Sequence, residues 1–421
     1  MAPLGPELPW SSRARIRFAR ARTDRPALPN RPSQGVILFW SSVAASAVAV
    51  VGCAYLLMAA ILLRGVARHR SGICPAAAPS VTILKPLYGD EPGLFDNLRS
   101  FCIQDYRGDV QIVFGVQTPD DAAIATVERL RRVLPGRDLD LVIDTKTHGL
   151  NRKVSSLVNM APRIRHDIVV VADSDIRVDP SHLSRVIAAL EEPGISAVTC
   201  LYYGVAITGI WARLGAVFIN AQFLPSVVFG VALGLARPCF GSTLALRREA
   251  LAAIGGFKSF ADCLADDYAM GQALRTHAGK IAIPPFAVAH VCTQGSFGEL
   301  WRQQLRWART IRSIDPIGYT GSVLGHPLPW ALLAALLGAG STALVPAIAL
   351  AVVTIACRGA VLREVERAYV LSSQPYWLVP ACDLLSFAIF VVSFLRWDVS
   401  WRGRRFRMVA GAWTADRGTQ S

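Results

Sequence analysis

Three groups of acidic residues are spaced along this chain in a pattern that suits metal binding and proton removal. Asp173–Ser174–Asp175 comes directly after the apolar segment Ile168–Ala172, and Asp121 follows an earlier apolar segment. Two carboxylates at a strand end can hold Mg²⁺ or Mn²⁺ on a diphosphate, because these ions prefer oxygen ligands and keep positions open for substrate. By itself such a pair is a weak signal, since a solvated turn has the same composition. Asp266–Asp267 offers a base for an attacking hydroxyl, or simply acids that favour a helix start.

Basic and aromatic residues accompany these acids. Gln303–Gln304–Leu305–Arg306–Trp307 offers a cation for phosphate and a flat ring for a sugar or lipid, although Arg and Trp also anchor proteins at lipid headgroups. The segment Gly149–Lys153 precedes a predicted helix and indicates either a second phosphate contact through Lys153 or an ordinary loop. For His290 a histidine packed in the core is favoured over a metal ligand. Considered jointly, the residues indicate transfer of a sugar from a nucleotide to a lipid.

The composition indicates a membrane protein. Of the 421 residues, 52% are hydrophobic, the mean hydropathy is +0.38 and the net charge is +14. A basic surplus suits either nucleic acid or the anionic face of a membrane, and the long apolar segments favour the membrane. No nucleic-acid partner is therefore predicted. The nine cysteines form no CxxC pair and no Cys/His cluster, which argues against a zinc site or a disulfide framework.

Long apolar segments divide the chain into regions. We predict a disordered basic tail at 1–35, a transmembrane helix at 36–63 and a globular domain at 78–313. Further transmembrane segments are predicted at 327–357, either as one tilted span or broken near Pro346, and at 375–395, before a basic cytoplasmic tail at 396–421. Asp383 falls inside the last segment, where an ionisable group needs a partner or a place near the headgroups.

Short apolar runs alternate with amphipathic stretches in the globular region. Strands are predicted at Val81–Leu84, Val110–Val116, Leu139–Ile143 and Ile168–Ala172. This alternation predicts an α/β domain with a largely parallel sheet, in which ligands bind at the carboxyl ends of the strands. Asp121 and Asp173 are therefore expected at one edge of the sheet.

Two stretches of this domain are expected near the membrane. Ile207–Leu235 is apolar but interrupted by Arg213, Asn220, Gln222 and Pro225, so it is either a pair of core helices or an amphipathic element in the interface. Leu300–Ser313 is basic and is predicted to be a helix near headgroups.

The positions of the basic residues give two conflicting predictions for the side of the membrane on which the globular domain lies. The seven arginines within 1–35 place that tail inside, so that a single span would put the domain outside. Arg64–Arg70, the basic stretch 301–312 and the C-terminal arginines instead place the domain inside, where nucleotide sugars are made. We favour the cytoplasmic location, which leaves the orientation of the N-terminal tail open.

Five motifs together resemble the ceramide glucosyltransferase family over residues 36–410. They are Thr82–Leu87, Asn97–Phe101 with Gln104–Tyr106, Asp173–Arg177, Ala265–Tyr268 and the QxxRW of Gln303–Trp307. The nearest likeness is to the bacterial hopanoid-biosynthesis branch, which adds N-acetylglucosamine to a hopanoid polyol such as bacteriohopanetetrol. This resemblance implies a GT-A (Rossmann-like) domain with N- and C-terminal transmembrane helices in a bacterial inner membrane. It also implies inverting transfer from a UDP-sugar to a lipid, with Mg²⁺ or Mn²⁺.

The resemblance also assigns a role to each matching residue. Asp267 would be the catalytic base. The donor would be bound by Lys85, Pro86, Asp121, Lys153, Asp173 and Asp175, and the last two would also hold the metal. Gln303, Arg306 and Trp307 would line the diphosphate and the acceptor. The chain has Thr118 where relatives often carry an acid, so the division of work between Asp120 and Asp121 is left open.

Three alternatives share parts of this pattern. A ceramide glucosyltransferase that makes glucosylceramide would carry the same motifs and differ in its apolar regions. A processive polysaccharide synthase also uses DxD and QxxRW, but three predicted spans argue against a polymer channel. A membrane scaffold with a degenerate transferase domain is the non-enzymatic alternative, and the intact acids at all three motif positions argue against it.

Overall fold

A seven-stranded mixed sheet forms the centre of the globular domain. The computed structural model describes residues 34–68, 78–395, 398–401, 404–409 and 412–415. The strands are, in chain order, β1 (Val81–Pro86), β2 (Val110–Val116), β3 (Asp138–Ile143), β4 (Ile168–Val171), β5 (Ile176–Arg177), β6 (Ile195–Thr199), β7 (Leu201–Ala206), β8 (Leu244–Arg247), β9 (Lys280–Ala282), β10 (Ala287–Cys292), β11 (Asp398–Trp401), β12 (Arg404–Val409) and β13 (Ala412–Ala415).

The central sheet has the order β3-β2-β1-β4-β8-β6-β9. Only β8 runs antiparallel to its neighbours in this sheet, and the other pairs are parallel. A smaller sheet, β5-β10-β7, lies beyond the end of β4 and carries residues that follow the DxD. The predicted α/β class and all four predicted strands are confirmed.

Helices cover both faces of the central sheet. They are α1 (Gln34–Arg68), α2 (Leu94–Cys102), α3 (Ala123–Val133), α4 (Arg152–Met160), α5 (His182–Leu190), α6 (Ile210–Phe218), α7 (Leu224–Ala232), α8 (Arg248–Ala253), α9 (Asp266–His277), α10 (Phe297–Ile314), α11 (Pro316–Gly321), α12 (Pro327–Leu337), α13 (Leu344–Tyr369) and α14 (Val379–Ser393). Helices α2, α3 and α5 contribute to one apolar core, and α4, α8 and α9 contribute to another. Both β1 and β4 are buried on both faces; β4 is therefore an apolar run without alternation, whereas β1 also buries Thr82 and Lys85.

Four helices of the described residues are long and apolar enough to cross a membrane. They are Gln34–Val66, Ile210–Ala232, Leu344–Tyr369 and Tyr376–Ser393. The second corresponds to the ambiguous stretch Ile207–Leu235. It is a continuous helical run in which a π-helix, Ile219–Phe223, joins α6 to α7, rather than two separate core helices.

Of the two alternatives for the apolar stretch 327–357, one tilted span or a span broken near Pro346, the structure has the broken form. The stretch forms the short α12 and the first half of α13, which are separated by a turn at residues 338–343 before Pro346. Gly340 in this turn has a φ of 78°, a conformation that favours glycine. Both helices pack against α1, and α13 continues beyond the predicted end to Tyr369.

Two further expectations concern the C-terminal region. Asp383 has a partner inside the protein, since its carboxylate lies 2.9 Å from Nε of Arg358, and the side chain is 0% exposed. Within the predicted tail 396–421, β11, β12 and β13 form an antiparallel sheet. The predicted tail 1–35 lies outside the described residues except for its last two.

Gly52 marks a close contact between α1 and α12. A Cβ at this position would lie 2.7 Å from the carbonyl oxygen of Leu324 and 2.8 Å from Cβ of Pro327, whereas a Cβ at Gly65 of the same helix would meet nothing within 4 Å. We expect Gly52→Ala to destabilise the protein by about 1–3 kcal/mol through overpacking. Gly65→Ala should leave stability unchanged or raise it by up to about 1 kcal/mol, because alanine favours the helix.

Thermal unfolding of both variants in the same detergent measures this difference. The expected result is a lower Tm for Gly52→Ala only. Equal shifts in the two variants would contradict a tight contact between α1 and α12.

Candidate active site

The DxD turn is held by backbone hydrogen bonds on both sides. Asp173 follows the end of β4, and its N–H donates to the carbonyl of Gly241 at 3.1 Å. The N–H of Val291 in β10 donates to the carbonyl of Asp175 at 2.8 Å. These bonds fix the turn between two sheets while both carboxylates stay partly accessible, with side-chain exposures of 35% and 34%.

Lys85 lies beneath the DxD turn. Its Nζ donates to the carbonyl of Asp173 at 2.5 Å and stands 3.9 Å from the ring centroid of Phe101. Burial lowers the pKa of this amine to about 7, against the opposing influence of the nearby aspartates. The residue is 0% exposed, and Pro86 at the end of β1 is also buried. Both therefore lie below the surface where a donor contact was expected, and their donor roles remain predictions.

Lys153 is the ammonium that faces the acids. It lies in the first turn of α4, whose N-cap Asn151 accepts from the N–H of Val154 at 3.1 Å, so the predicted helix start is confirmed. Its Nζ lies 2.7 Å from Asp173 Oδ1 and 3.4 Å from Asp266 Oδ2. Burial alone would lower the pKa of Lys153, but the surrounding carboxylates outweigh it and raise the pKa. The amine is therefore charged at neutral pH.

The two acids at the start of α9 have different environments. Asp266 is buried and accepts from Nδ2 of Asn151 at 3.1 Å, which ties α9 to the loop before α4. Asp267 accepts from the N–H of Gly241 at 2.9 Å and from its neighbour Tyr268 at 2.8 Å. Desolvation raises the pKa of Asp267 to about 6, assisted by Asp266 and opposed by Lys153. Of the two, Asp267 therefore has the properties of a general base.

Gly241 connects Asp173 of the DxD to Asp267 of α9. It accepts from Asp173 through its carbonyl and donates to Asp267 through its N–H. A Cβ here would lie 2.6 Å from Asp173 Oδ2 and 2.8 Å from Lys153 Nζ. Glycine is thus required because two charged groups occupy the space of a side chain, a reason that the sequence alone does not reveal.

Asp121 stabilises a neighbouring loop. Its Oδ1 accepts from the N–H of Gly89 and from the N–H of Ala123, both at 2.9 Å, so it joins the segments that follow β1 and β2. Asp120 is exposed. The carboxylate of Asp121 is therefore engaged in loop structure, and the division of donor contacts between the two acids remains a prediction.

Helix α10 brings the QxxRW residues towards the DxD. Gln303, Arg306 and Trp307 stand at i, i+3 and i+4 and so share a face. The Trp307 ring packs against His290 with centroids 5.7 Å apart, and His290 Nδ1 lies 3.5 Å from Asp175 Oδ2. His290 is buried as predicted, yet it contacts the site.

Sequence reasoning missed a residue in the loop before α10. Gln294 is buried, and its Nε2 donates to Oε1 of Gln303 at 2.5 Å. A glutamine in a loop gives no signal of this contact, which depends on how the loop folds back on α10.

The acidic cluster has the chemistry of a divalent cation site. Among the described residues no three His, Cys, Asp or Glu side chains converge as a complete set of metal ligands. However, Asp175 Oδ1 is buried without a hydrogen-bond partner, and the Lys153 amine contacts the carboxylates of Asp173 and Asp266. Asp173 and Asp175 therefore fit Mg²⁺ or Mn²⁺ whose remaining ligands are diphosphate and water oxygens.

We expect Gly241→Ala to weaken binding of Mn²⁺ with a nucleoside diphosphate by about tenfold or more, because the added methyl group displaces Asp173 and Lys153. Gly298→Ala in α10 is the control, since a Cβ there would meet nothing within 4 Å. Calorimetric titration with Mn²⁺ and UDP measures the effect. Equal affinities in the two variants would show that the space at Gly241 is not needed.

Comparisons with known proteins agree with this architecture. The sequence profile of glycosyl transferase family 21 matches residues 44–413. Ceramide glucosyltransferase 1 of Caenorhabditis elegans is 26% identical over 206 residues, which are 49% of this chain and 44% of that protein. Ceramide glucosyltransferase 3 of the same organism is 23% identical over 235 residues, which are 56% of this chain and 51% of that protein. The chain thus spans about half the length of these curated relatives.

A solved structure supports the fold. A mannosyltransferase from Pyrobaculum calidifontis in complex with GDP-Man and Mn²⁺ superposes with a TM-score of 0.50 and 22% identity, covering 83% of this chain and 99% of that chain. At this identity the likeness concerns the fold alone, and it confirms the predicted GT-A fold. Since the family profile covers most of the sequence, from the first membrane helix to the C-terminal sheet, the chain belongs to glycosyl transferase family 21.

Proposed function

We propose that this protein transfers a sugar from a nucleoside-diphosphate sugar to a hydroxyl group of a membrane lipid, with inversion at the anomeric carbon. The observation that carries the proposal is the convergence of Asp267, the DxD and Lys153 at one end of the central sheet. The QxxRW helix lies beside them and packs against membrane-type helix α14. The relatives named above are ceramide glucosyltransferases, which supports a lipid acceptor.

The proposed residues form two groups on either side of Gly241, one that binds the donor and one that activates the acceptor. On the donor side, Lys153, Asp173 and Asp175 would bind the diphosphate together with Mg²⁺ or Mn²⁺, which supplies positive charge to the leaving group. On the acceptor side, Asp267 takes the proton of the lipid hydroxyl as its oxygen attacks the anomeric carbon. The bond to the diphosphate breaks as the new bond forms, and its electron pair leaves with the nucleotide.

Preorganised charge contributes most of the rate enhancement in such a displacement. Two backbone N–H groups hold the Asp267 carboxylate in place before substrate arrives. Arg306 of α10 is proposed to stabilise the departing diphosphate, and Gln303 and Trp307 to line the acceptor side. Asp121, Lys85 and Pro86 complete the proposed donor site, the last two by supporting it from below.

The acceptor has two candidates. The motifs resemble the hopanoid branch, which supports N-acetylglucosamine transfer to bacteriohopanetetrol at a bacterial inner membrane. The names of the relatives support glucose transfer to ceramide. Both reactions use the same proposed base and metal site, so the regions that bind the sugar and the lipid distinguish them.

An assay with labelled UDP-N-acetylglucosamine and UDP-glucose, each offered with bacteriohopanetetrol or ceramide, tests the function. Mass spectrometry of the lipid products identifies the pair that reacts, and release of free sugar without lipid product would contradict lipid transfer. Using inside-out and right-side-out vesicles also tests the proposed cytoplasmic site. The impermeant donor should reach it without detergent only in the inside-out vesicles.

Replacement of the base separates chemistry from binding. We expect Asp267→Asn to reduce kcat by about 10²–10⁴-fold, because proton removal is lost, while UDP-sugar affinity changes little. Asp105→Asn, which changes an exposed carboxyl after α2, is the control. Near-normal turnover of Asp267→Asn would remove this residue from the role of base.

The pH dependence follows from the pKa of about 6 for Asp267. The base is active when deprotonated, so kcat/KM should fall about tenfold per pH unit below that value. The Lys153 ammonium lowers the pKa of Asp267, and Lys153→Met should therefore move the acidic limb to higher pH. Profiles of kcat/KM for both proteins measure the shift. A limb that stays in place, or moves to lower pH, would contradict this electrostatic coupling.

A further inference from the structure

An ion pair lies between two of the membrane-type helices. Arg358 of α13 is 1% exposed and Asp383 of α14 is 0% exposed, and Nε of the arginine is 2.9 Å from Oδ1 of the aspartate. Apolar clusters of α1, α6, α10, α13 and α14 surround the pair. Burying two charges is costly, and apolar side chains of similar size would hold the helices at least as well. Such groups within membrane helices mark functional positions more often than structural ones.

The ion pair also contacts the globular domain. Nη1 of Arg358 donates to the carbonyl of Ala221 at 2.9 Å, and Nε2 of Gln222 donates to Oδ1 of Asp383 at 2.5 Å. Both contacts are in the π-helix Ile219–Phe223, a rare backbone form that is frequent at functional sites. Arg358 and Asp383 thus hold the π-helix by one contact to its main chain and one to its Gln222 side chain.

The same π-helix is fixed on its other side to the small sheet. Asn220 is fully buried, accepts from the N–H of Gly204 at 2.7 Å and donates to the carbonyl of Gly204 at 2.9 Å. Gly204 belongs to β7, which pairs with β10 beside the DxD. Asn220 and Gln222, two of the residues that interrupt Ile207–Leu235, therefore connect α14 to β7 of the small sheet.

Stacked rings continue this connection to the catalytic acids. Phe223 stacks on Tyr202 of β7 with centroids 4.7 Å apart and planes at 23°. Tyr202 lies 5.6 Å from His290, which contacts Asp175 and the Trp307 ring. Each ring in the series packs against the next, so a shift of the π-helix moves the support of Asp175.

We propose that the Arg358–Asp383 ion pair is a positioning device for the active site. It fixes the π-helix, and through Phe223, Tyr202 and His290 it sets the position of the Asp175 carboxylate. This inference rests on the proposed function, because it assigns Asp175 to the binding of metal and donor. The contact couples the packing of α13 and α14 to the geometry of the DxD.

The test is the affinity of the full-length protein in nanodiscs for Mn²⁺ with UDP, measured by calorimetry. Asp383→Leu should raise the Kd about tenfold, because the π-helix loses its anchor. Phe223→Leu leaves the ion pair intact but interrupts the rings, and it should raise the Kd by a similar factor. The double variant should bind no more weakly than about the weaker single variant, since both substitutions act on one pathway.

A second ion pair provides the control. Glu364, also in α13, pairs with Arg64 of α1 at 3.1 Å and with Arg367 at 2.9 Å. Glu364→Gln should leave the Kd for Mn²⁺ with UDP unchanged. If Asp383→Leu fails to fold, Phe223→Leu carries the test, because its side chain is only partly buried and the substitution is apolar.

The outcomes separate this inference from the proposed function. If the variants lose thermal stability but keep the Kd of the unmodified protein, the ion pair is structural and the inference is overturned. Multiplied effects in the double variant would also overturn it, because they indicate independent pathways. Failure of the unmodified protein to bind Mn²⁺ with UDP would instead contradict the proposed function.

Discussion

The mutual repulsion of four carboxylates is the constraint on which the site depends. Asp173 and Asp175 come from the end of β4, and Asp266 and Asp267 come from the start of α9. Lys153 offsets part of this repulsion from a third segment, and the N-terminus of α9 contributes the favourable end of a helix dipole. The remaining negative charge attracts a cation. The fold must therefore hold three distant segments together without neutralising them completely.

Backbone contacts perform much of this task. The loop before α4 is joined to the loop before α9 by a hydrogen bond from the N–H of Asn151 to the carbonyl of Ala261 at 2.8 Å. The Lys85 amine supports the DxD from below by a hydrogen bond to the main chain. Because each of these contacts ends on a main-chain carbonyl, the side chains of Asp173 and Asp175 stay partly accessible to ligand.

The sequence predicted features that depend on local order and missed those that depend on distant contacts. Strand ends locate the DxD, and a glycine followed by Asn151 locates the start of α4. Lys85 of β1 contacts Phe101 of helix α2, and His290 contacts Asp175 and Trp307, all of them distant in sequence. For Asp383 the sequence left open a partner or a place near the headgroups, and the structure shows the partner. Its partner was missed because the predicted segment ended at 357, where Arg358 resembled a boundary charge.

The turn at residues 338–343 shows why composition alone did not decide between one span and a broken span at 327–357. The mean hydropathy of a segment depends only on its composition, and 327–357 contains no charged side chain. The sequence Gly338–Ala339–Gly340–Ser341 is nevertheless a turn signal, and α12 and α13 reverse there to pack on α1. Small residues at 45, 49 and 334 allow this approach. Tertiary packing thus decides where an uninterrupted apolar segment breaks.

Gly241 has a consequence for how acceptor choice can diversify in this architecture. Its own carbonyl and N–H link Asp173 to Asp267, so one residue sets the spacing between the acid proposed to bind metal and donor and the acid proposed as base. That spacing is a property of the displacement and does not depend on which lipid supplies the hydroxyl. A change of acceptor therefore requires no change at this centre. Selectivity can evolve in the outer helical layer while the reacting geometry stays constant.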